Sequence, residues 1–316
     1  MTRRVLVTGA AGFIGSHVAA ALLRRGDAVA GLDSFTDFYD PALKRRNVEE
    51  VRRLGELPLL EGDVRDPAAV REALRGCDAV VHLAAKAGVR PSLLDPVGYA
   101  DVNVRGTAVL LEEARAAGVR TFVSASSSSV YGARSAAPFV ESDPCDRPVS
   151  PYAATKRAME LLCRSFQVHG SMDLTCLRFF TAYGPRQRPE MAIHAFARAI
   201  GEGRPVPFYG DGTSRRDYTY IDDIVDGVLR SLDRASGFRI YNLGESATTS
   251  LSELVALLEE AVGRRAILDR RPDQPGDVPL TCADLTLARA ELGYEPRTPL
   301  REGLARFVDW MRTPRG

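Results

Sequence analysis

Residues 5–23 pass from a short apolar run, VLVTG (5–9), through the glycine-spaced turn TGAAGFIG into a stretch with three-to-four-residue apolar spacing. Strand, glycine turn, helix, in that order, leaves few folds open. Gly9, Gly12 and Gly15 would allow a tight turn, backbone approach to a pyrophosphate and close packing of helix on strand, while the opening helix offers amide donors and the positive end of its dipole. The spacing is GxxGxxG rather than GxGxxG, which is weak by itself, but its setting strengthens it. The next apolar run, AVAGLD (28–33), ends at Asp33, where a carboxylate accepts hydrogen bonds from an adenosine ribose and repels a 2′-phosphate. The turn therefore predicts NAD rather than NADP; a strand-end turn residue is the other reading of Asp33. Asp63 suits adenine or a turn about equally.

The alternation continues. LPLLEGD (57–63), AVVHLAA (79–85), TFVSAS (121–126) and LTCLRFF (174–180) read as buried strands, and helical spacing recurs between them, as over Phe13–Leu23 and Val102–Ala114. Strands alternating with helices imply parallel crossovers, hence an α/β doubly wound parallel sheet of Rossmann type. After Tyr183 the texture changes to Pro-, Gly- and Arg-rich loops between shorter elements, whereas 218–232 and 238–244 read as a helix and a strand that rejoin the sheet. The expected organisation is an NAD-binding domain over 1–180, rejoined by about 215–244. A smaller C-terminal α/β substrate-binding domain would take about 181–214 and 245–316.

A chain of 316 residues with 45% apolar content can bury a large core, and a net charge of +1 offers no field for nucleic acid or an anionic membrane. No apolar run approaches the roughly 18–20 residues of a membrane span, and the start carries no leader pattern, so a cytoplasmic protein is expected. Five cysteines, odd in number and without a CxxC pair, argue against a disulfide framework, and His17, His82, His169 and His194 lack metal-ligand spacing. No metal is expected.

Two constellations carry chemistry. Ser126–Ser129 end the fifth strand, where ligands sit in such sheets; consecutive hydroxyls are costly in a core but useful around a sugar, a serine-rich surface turn being the alternative. Then, in SPYAATK, Ser150 is a good N-cap and Pro151 a good first helical residue, so Tyr152 falls in the first turn and shares a face with Lys156. Lys156 is one of only three lysines in a chain that otherwise uses arginine for its positive charges. A compact ammonium can approach a ribose or a phenol as a guanidinium fork cannot. A phenol with a reference pKa of about 10 is a poor base near neutrality, and a nearby ammonium, the helix N-terminus and a cationic nicotinamide would all favour its phenolate.

Together the GxxGxxG turn, the strand-end serines and the YxxxK pair resemble the extended short-chain dehydrogenase/reductases. With LAAKAGVR, YGP, RRDYTYIDD and PGDV, the resemblance to the NAD-dependent epimerase/dehydratase family runs over essentially the whole chain. DSFTDFYDP, AGVRPS, SSSSVYG, LRFFTAYGPRQRPEM and QPGDV look most like the UDP-glucuronate 4-epimerases. The resemblance implies a UDP-sugar substrate, NAD, and catalysis by Tyr152 as base, Lys156 on the nicotinamide ribose and Ser127 on the reacting oxygen. It places Phe13, Ile14, Val64, Leu83, Ala84, Ala85 and Lys86 with Gly9, Gly12, Gly15, Asp33 and Asp63 around the cofactor. It places Arg90, Ser127, Ser128, Ser129, Thr181, Arg188, Phe208, Arg216 and Asp277 around the substrate, with Phe208 near uracil and Arg216 on the diphosphate.

Departures from relatives narrow the reading further. Similar 4,6-dehydratases carry Asp and Glu where this chain has Ser128 and Ser129, and similar UDP-glucuronate decarboxylases carry Glu at the second position, so water elimination lacks its carboxyl pair here. Thr181 stands where galactose-type epimerases have Asn, and Arg188 follows seven residues later, able to bind a carboxylate at two points; phosphate or solvent is the other reading of Arg188. Gln274 replaces a phosphate-binding Arg of galactose-type epimerases. UDP-glucose 4-epimerase is the alternative activity, and a non-enzymatic NAD-binding sensor the alternative from another class. By resemblance, helices at about 96–117 and 151–169 would form a homodimer.

Overall fold

Strand β1 (Arg4–Thr8) is an interior strand of a seven-stranded sheet in the computed structural model, which describes residues 3–133, 136–170, 172–273 and 278–313. Helix α1 (Phe13–Arg25) leads to β2 (Ala28–Asp33), α2 (Pro41–Arg52) to β3 (Leu59–Glu61), and α3 (Pro67–Ala73) to β4 (Ala79–His82). Three consecutive turns follow, α4 (Val89–Leu94), α5 (Pro96–Ala100) and a π turn (Asp101–Arg105), before α6 (Gly106–Ala116), β5 (Thr121–Ser127), a 3₁₀ turn (Ser128–Tyr131), α7 (Pro151–Val168) and β6 (Asp173–Phe179).

The C-terminal part runs β7 (Thr181–Tyr183), α8 (Ala192–Glu202), β8 (Pro205–Tyr209), β9 (Arg215–Arg216), β10 (Tyr218–Tyr220) and α9 (Ile221–Asp233). It continues through β11 (Phe238–Leu243), β12 (Thr249–Ser250), α10 (Leu251–Val262), β13 (Ile267–Arg271), α11 (Thr286–Leu292) and α12 (Leu300–Arg312). Main-sheet order is β3-β2-β1-β4-β5-β6-β11, every neighbour parallel. This is the Rossmann order with a seventh strand, and 238–244 does return to the sheet, on β6.

Local chemistry explains where helices start. Asp40, Asp66 and Ser150 each accept a backbone hydrogen bond at the N-cap with proline next in sequence, and Ser250 with Glu253 forms a reciprocal capping box. Some boundaries differ from the sequence expectation. The run 218–232 splits into β10 and α9, because Tyr218–Tyr220 pairs in parallel with β7 before the helix begins. The run 96–117 is not one helix, since the π turn interrupts it. The 57–63 and 79–85 runs shorten to β3 and β4, the residues beyond them bending away at the ligand edge of the sheet.

One buried charge cluster ties α7 to the sheet. Glu160 on α7, fully shielded from water, accepts from Ser126 Oγ at 2.6 Å and from Arg178 Nε at 2.9 Å through Oε1. Its Oε2 accepts from Arg178 Nη2 at 3.0 Å and Arg157 Nη1 at 2.9 Å. Burial alone would raise this carboxyl, but the hydrogen bonds and charge of Arg178, with Ser126 and Arg157, outweigh it and hold Glu160 below its ordinary value. Ser126 therefore serves the core rather than a sugar, which corrects the reading of Ser126–Ser129 as one ligand-facing run. Removing one partner strands the other charge in a dry site, so Arg178→Ala is expected to destabilise the fold by about 3–5 kcal/mol in urea unfolding.

Candidate active site

Two glycine contacts shape the turn after β1. Gly9 has φ +69°, and a Cβ on Gly15 would lie 2.0 Å from the Gly9 carbonyl oxygen, so helix and turn can meet only through glycine. Gly12 is the N-cap of α1 and supplies no side-chain cap, which leaves the first amides of the helix, Phe13, Ile14 and Gly15, as donors for an anion. Asp33 stands beside this turn, Oδ2 accepting from Ala11 N at 3.0 Å and Oδ1 from Phe35 N at 2.9 Å. A carboxylate pinned to the turn still has lone pairs for ribose hydroxyls. The cradle fits a dinucleotide.

Other cofactor-side residues are held from behind. Leu83 N and Ala84 N both donate to Thr8 Oγ1 at 3.2 Å, and Thr8 Oγ1 meets His82 Nδ1 at 2.7 Å. Burial, then the charge of Lys156, pushes His82 down to about 3, so it is a neutral bridge between Thr8 and Thr107. Ala85 is half-buried, and Lys86 N donates to Asn103 Oδ1 at 2.8 Å while its ammonium pairs with Asp95. Asp63 is occupied as a turn carboxylate: hydrogen bonds from Arg65 hold it below its usual range, and buried Val64 follows it.

Three residues at this edge were not singled out from the sequence as site residues. Lys44 is buried near Asp33 and donates to Thr36 O at 2.9 Å, Asn47 Nδ2 donates to Ala11 O at 3.0 Å, and Asn103 links Lys86 to Thr155. The available signal was polarity on otherwise apolar helical faces.

Ser127, Tyr152 and Lys156, the expected catalytic residues, meet where β5 ends and α7 begins. Ser150 Oγ accepts from Ala153 N at 3.1 Å, fixing the first turn that carries Tyr152. Tyr152 stands beside Ser127, and its ring lies edge-on to Tyr99 at 6.3 Å. Burial raises the phenol above its ordinary value, opposed in part by Ser127 and the Arg188 charge. Lys156 donates from Nζ to Ala125 O at 2.6 Å, and burial lowers it to about 8, opposed by Cys176, Glu160 and Cys163. Ser127 Oγ also donates to Ser129 Oγ at 3.1 Å and accepts from Ser129 N at 3.2 Å; Ser128 is half-buried alongside.

Most of the residues expected to meet substrate come from later elements. Ser127 is the register partner of Phe179, so Thr181, two residues on, emerges at the same edge. Arg188 pairs with Glu190 at 3.0 Å, lies over Phe38 at 5.4 Å, and its charge bears on Tyr152, Tyr99, Tyr39 and Lys44. Arg216 is half-buried, with Nη1 donating to the Arg215 carbonyl at 3.0 Å. Arg90 from α4 lies over the Tyr209 ring at 5.1 Å, a juxtaposition not visible in the sequence. Phe208 is 2% exposed beneath Arg270 and Gly212, so only a small part of its ring could face a base. Asp277 and Gln274 lie outside the described residues. Among the described residues no group of His, Cys, Asp and Glu has the arrangement of a metal site, and no helix is long and apolar enough to cross a membrane.

The chain is similar to known proteins over nearly its whole length. The model of the NAD dependent epimerase/dehydratase family matches residues 5–244. A probable UDP-glucuronate 4-epimerase of Rhizobium meliloti (strain 1021) is 41% identical, the match covering 97% of this chain and 96% of that protein. UDP-glucuronate 4-epimerase 4 of Arabidopsis thaliana is 44% identical over 97% of this chain and 74% of its own. The crystal structure of UDP-glucuronic acid 4-epimerase from Bacillus cereus in complex with UDP-glucuronic acid and NAD superposes with a TM-score of 0.93 at 35% identity, covering 98% and 99% of the two chains.

Two outcomes follow from the triplet. Tyr152→Phe keeps NAD binding while kcat falls about 10²- to 10⁴-fold, as the loss of a positioned proton acceptor requires. In that variant, where the phenol no longer titrates, NAD affinity measured by calorimetry is expected to weaken as pH rises through about 8, where Lys156 loses its charge.

Proposed function

The chain belongs to the NAD dependent epimerase/dehydratase family, and we propose that it is an NAD-dependent nucleotide-sugar 4-epimerase, an isomerase interconverting UDP-glucuronate and UDP-galacturonate through a transient 4-keto sugar. One observation carries the reading: Tyr152 stands beside Ser127 and within reach of the Arg188 charge, at a strand end that presents Ser128 and Ser129 instead of carboxyls. Tyr152 takes the proton from the sugar 4-hydroxyl and gives it back to the same oxygen when the ketone is reduced, and Ser127 hydrogen-bonds that oxygen. Lys156 holds the nicotinamide ribose. NAD, when bound at the glycine turn, supplies the site that accepts hydride from carbon 4 and returns it to the opposite face of the ketone.

A 4-keto glucuronate is a β-keto acid that loses carbon dioxide readily. Thr181, Arg188 and Ser128 would hold its carboxylate in one orientation, away from the alignment that cleavage needs. Arg90 and Arg216 would meet the diphosphate, Phe208 would touch the uracil edge, and Asp277 belongs to the same substrate set. Under this reading 1–180, rejoined by about 215–244, holds NAD, and about 181–214 and 245–316 hold the nucleotide sugar. Five unpaired thiols suit the reducing cytoplasm.

The same reading makes the protein a homodimer. Leu161 and Val168 on α7 are 55% and 61% exposed, and Leu94 and Val97 on α4 and α5 are 89% and 79% exposed. Apolar side chains left this open favour a partner helix pair. The expected solution mass is twice 34.4 kDa, and Leu161→Asp is expected to yield monomer by light scattering. Incubation with UDP-glucuronate and UDP-glucose separately should give the 4-epimer of the acidic sugar. Turnover of the neutral sugar alone would contradict the glucuronate assignment, and pentose products would indicate decarboxylation.

A further inference from the structure

The turn that leaves β7 carries Arg188 towards the catalytic tyrosine, and it contains a residue in a conformation that L side chains avoid. Arg186 has φ +64°. The turn is fixed on both sides of it: Gln187 N donates to Gly184 O at 3.1 Å, Gln187 Nε2 donates to Ala182 O at 3.1 Å, and His194 Nδ1 meets Gln187 O at 2.7 Å. His17 Nε2 meets Pro185 O at 2.9 Å; burial, then the Arg186 charge, pushes His17 down to about 3, so the ring is neutral and Nε2 carries the donated proton.

Arg186 then reaches across to another element. Its side chain is 10% exposed, and Nε at 2.9 Å and Nη2 at 2.8 Å both donate to Glu50 Oε2 on α2. Helix α2 also supplies Asn47 to the glycine turn and Lys44 to the loop after Asp33. That loop contributes Phe38, the ring under Arg188. One ion pair thus connects the helix behind the cofactor turn to the segment presenting Arg188. A turn held in a costly backbone conformation needs such a constraint to keep a single geometry.

We propose that the Glu50–Arg186 pair is a latch that fixes Arg188 against the sugar carboxylate, making both residues positioning residues for an acidic sugar. The proposal rests on the assignment of Arg188 made above. Neither latch residue touches the reacting atoms. Glu50 is about a third exposed, so Glu50→Gln preserves shape and fold, and Arg186→Gly removes the guanidinium while relieving the backbone.

The test uses the NAD-loaded protein and measures KM and kcat for UDP-glucuronate beside the Kd of UDP, which lacks the carboxylate. Glu50→Gln and Arg186→Gly should each raise KM about 5- to 20-fold, with kcat within about threefold and the UDP Kd within about twofold. Adding Glu50→Gln to Arg188→Ala should change KM no further, as coupled residues behave. If Arg188→Ala raises KM while both latch variants leave it unchanged, the latch is wrong and the Arg188 assignment stands. If Arg188→Ala leaves KM unchanged, that assignment fails and takes the latch with it. Equal weakening of UDP, or an additive double variant, also overturns the latch.

Discussion

Glu160 is a carboxylate without access to water, and the geometry of the site depends on its being satisfied. Its two oxygens accept four hydrogen bonds, from Ser126 on β5, Arg178 on β6 and Arg157 on its own helix. A buried charge that is partnered so fully locks register, because any slide of α7 would leave it unpaired. Lys156 lies one turn before Glu160 on α7, and Ser127 directly follows Ser126 on β5. Fixing the pair therefore fixes Ser127 on β5 relative to Tyr152 and Lys156 on α7. Arg178 extends the network further, donating to the Glu141 carbonyl at 3.1 Å and lying over the Tyr131 ring at 4.7 Å. Tyr131 closes the serine turn by donating to Asn242 at 2.7 Å.

The electrostatics of Tyr152 follow from this frame. Burial works against a phenolate, and Ser127 and Arg188 offset that burial only in part. Lys156 is instead engaged with the Ala125 carbonyl and is itself lowered by burial. In the proposed reaction the positive charge of a bound nicotinamide would add to the bias towards phenolate. Arg188 favours the tyrosinate, and under the proposed reading the same charge would also face the acidic sugar.

Much of the fold was legible because its signals are local. Glycines at 9, 12 and 15, apolar runs at regular intervals and Ser150-Pro151 each specify backbone geometry within a few residues, and the central strands and α7 form where these signals lie. The errors arose where tertiary contacts override periodicity. Tyr218–Tyr220 is helical by pattern yet pairs with β7, and the π turn around Asn103 lets that side chain bond Lys86 and Thr155 at the expense of a regular helix. Ser126 and Ser127 are adjacent and chemically identical, and only strand alternation sends one to Glu160 and the other to Tyr152. Arg90 over Tyr209 joins residues more than a hundred positions apart, which spacing could not reveal.

The central claim is that hydride leaves and returns to the same carbon within one closed site. UDP-glucuronate deuterated at carbon 4 tests it directly. Turnover should give UDP-galacturonate with the deuterium still at carbon 4 and none released to water, read by mass spectrometry and proton NMR. Loss of the label to solvent, or its appearance at another carbon, would contradict the account.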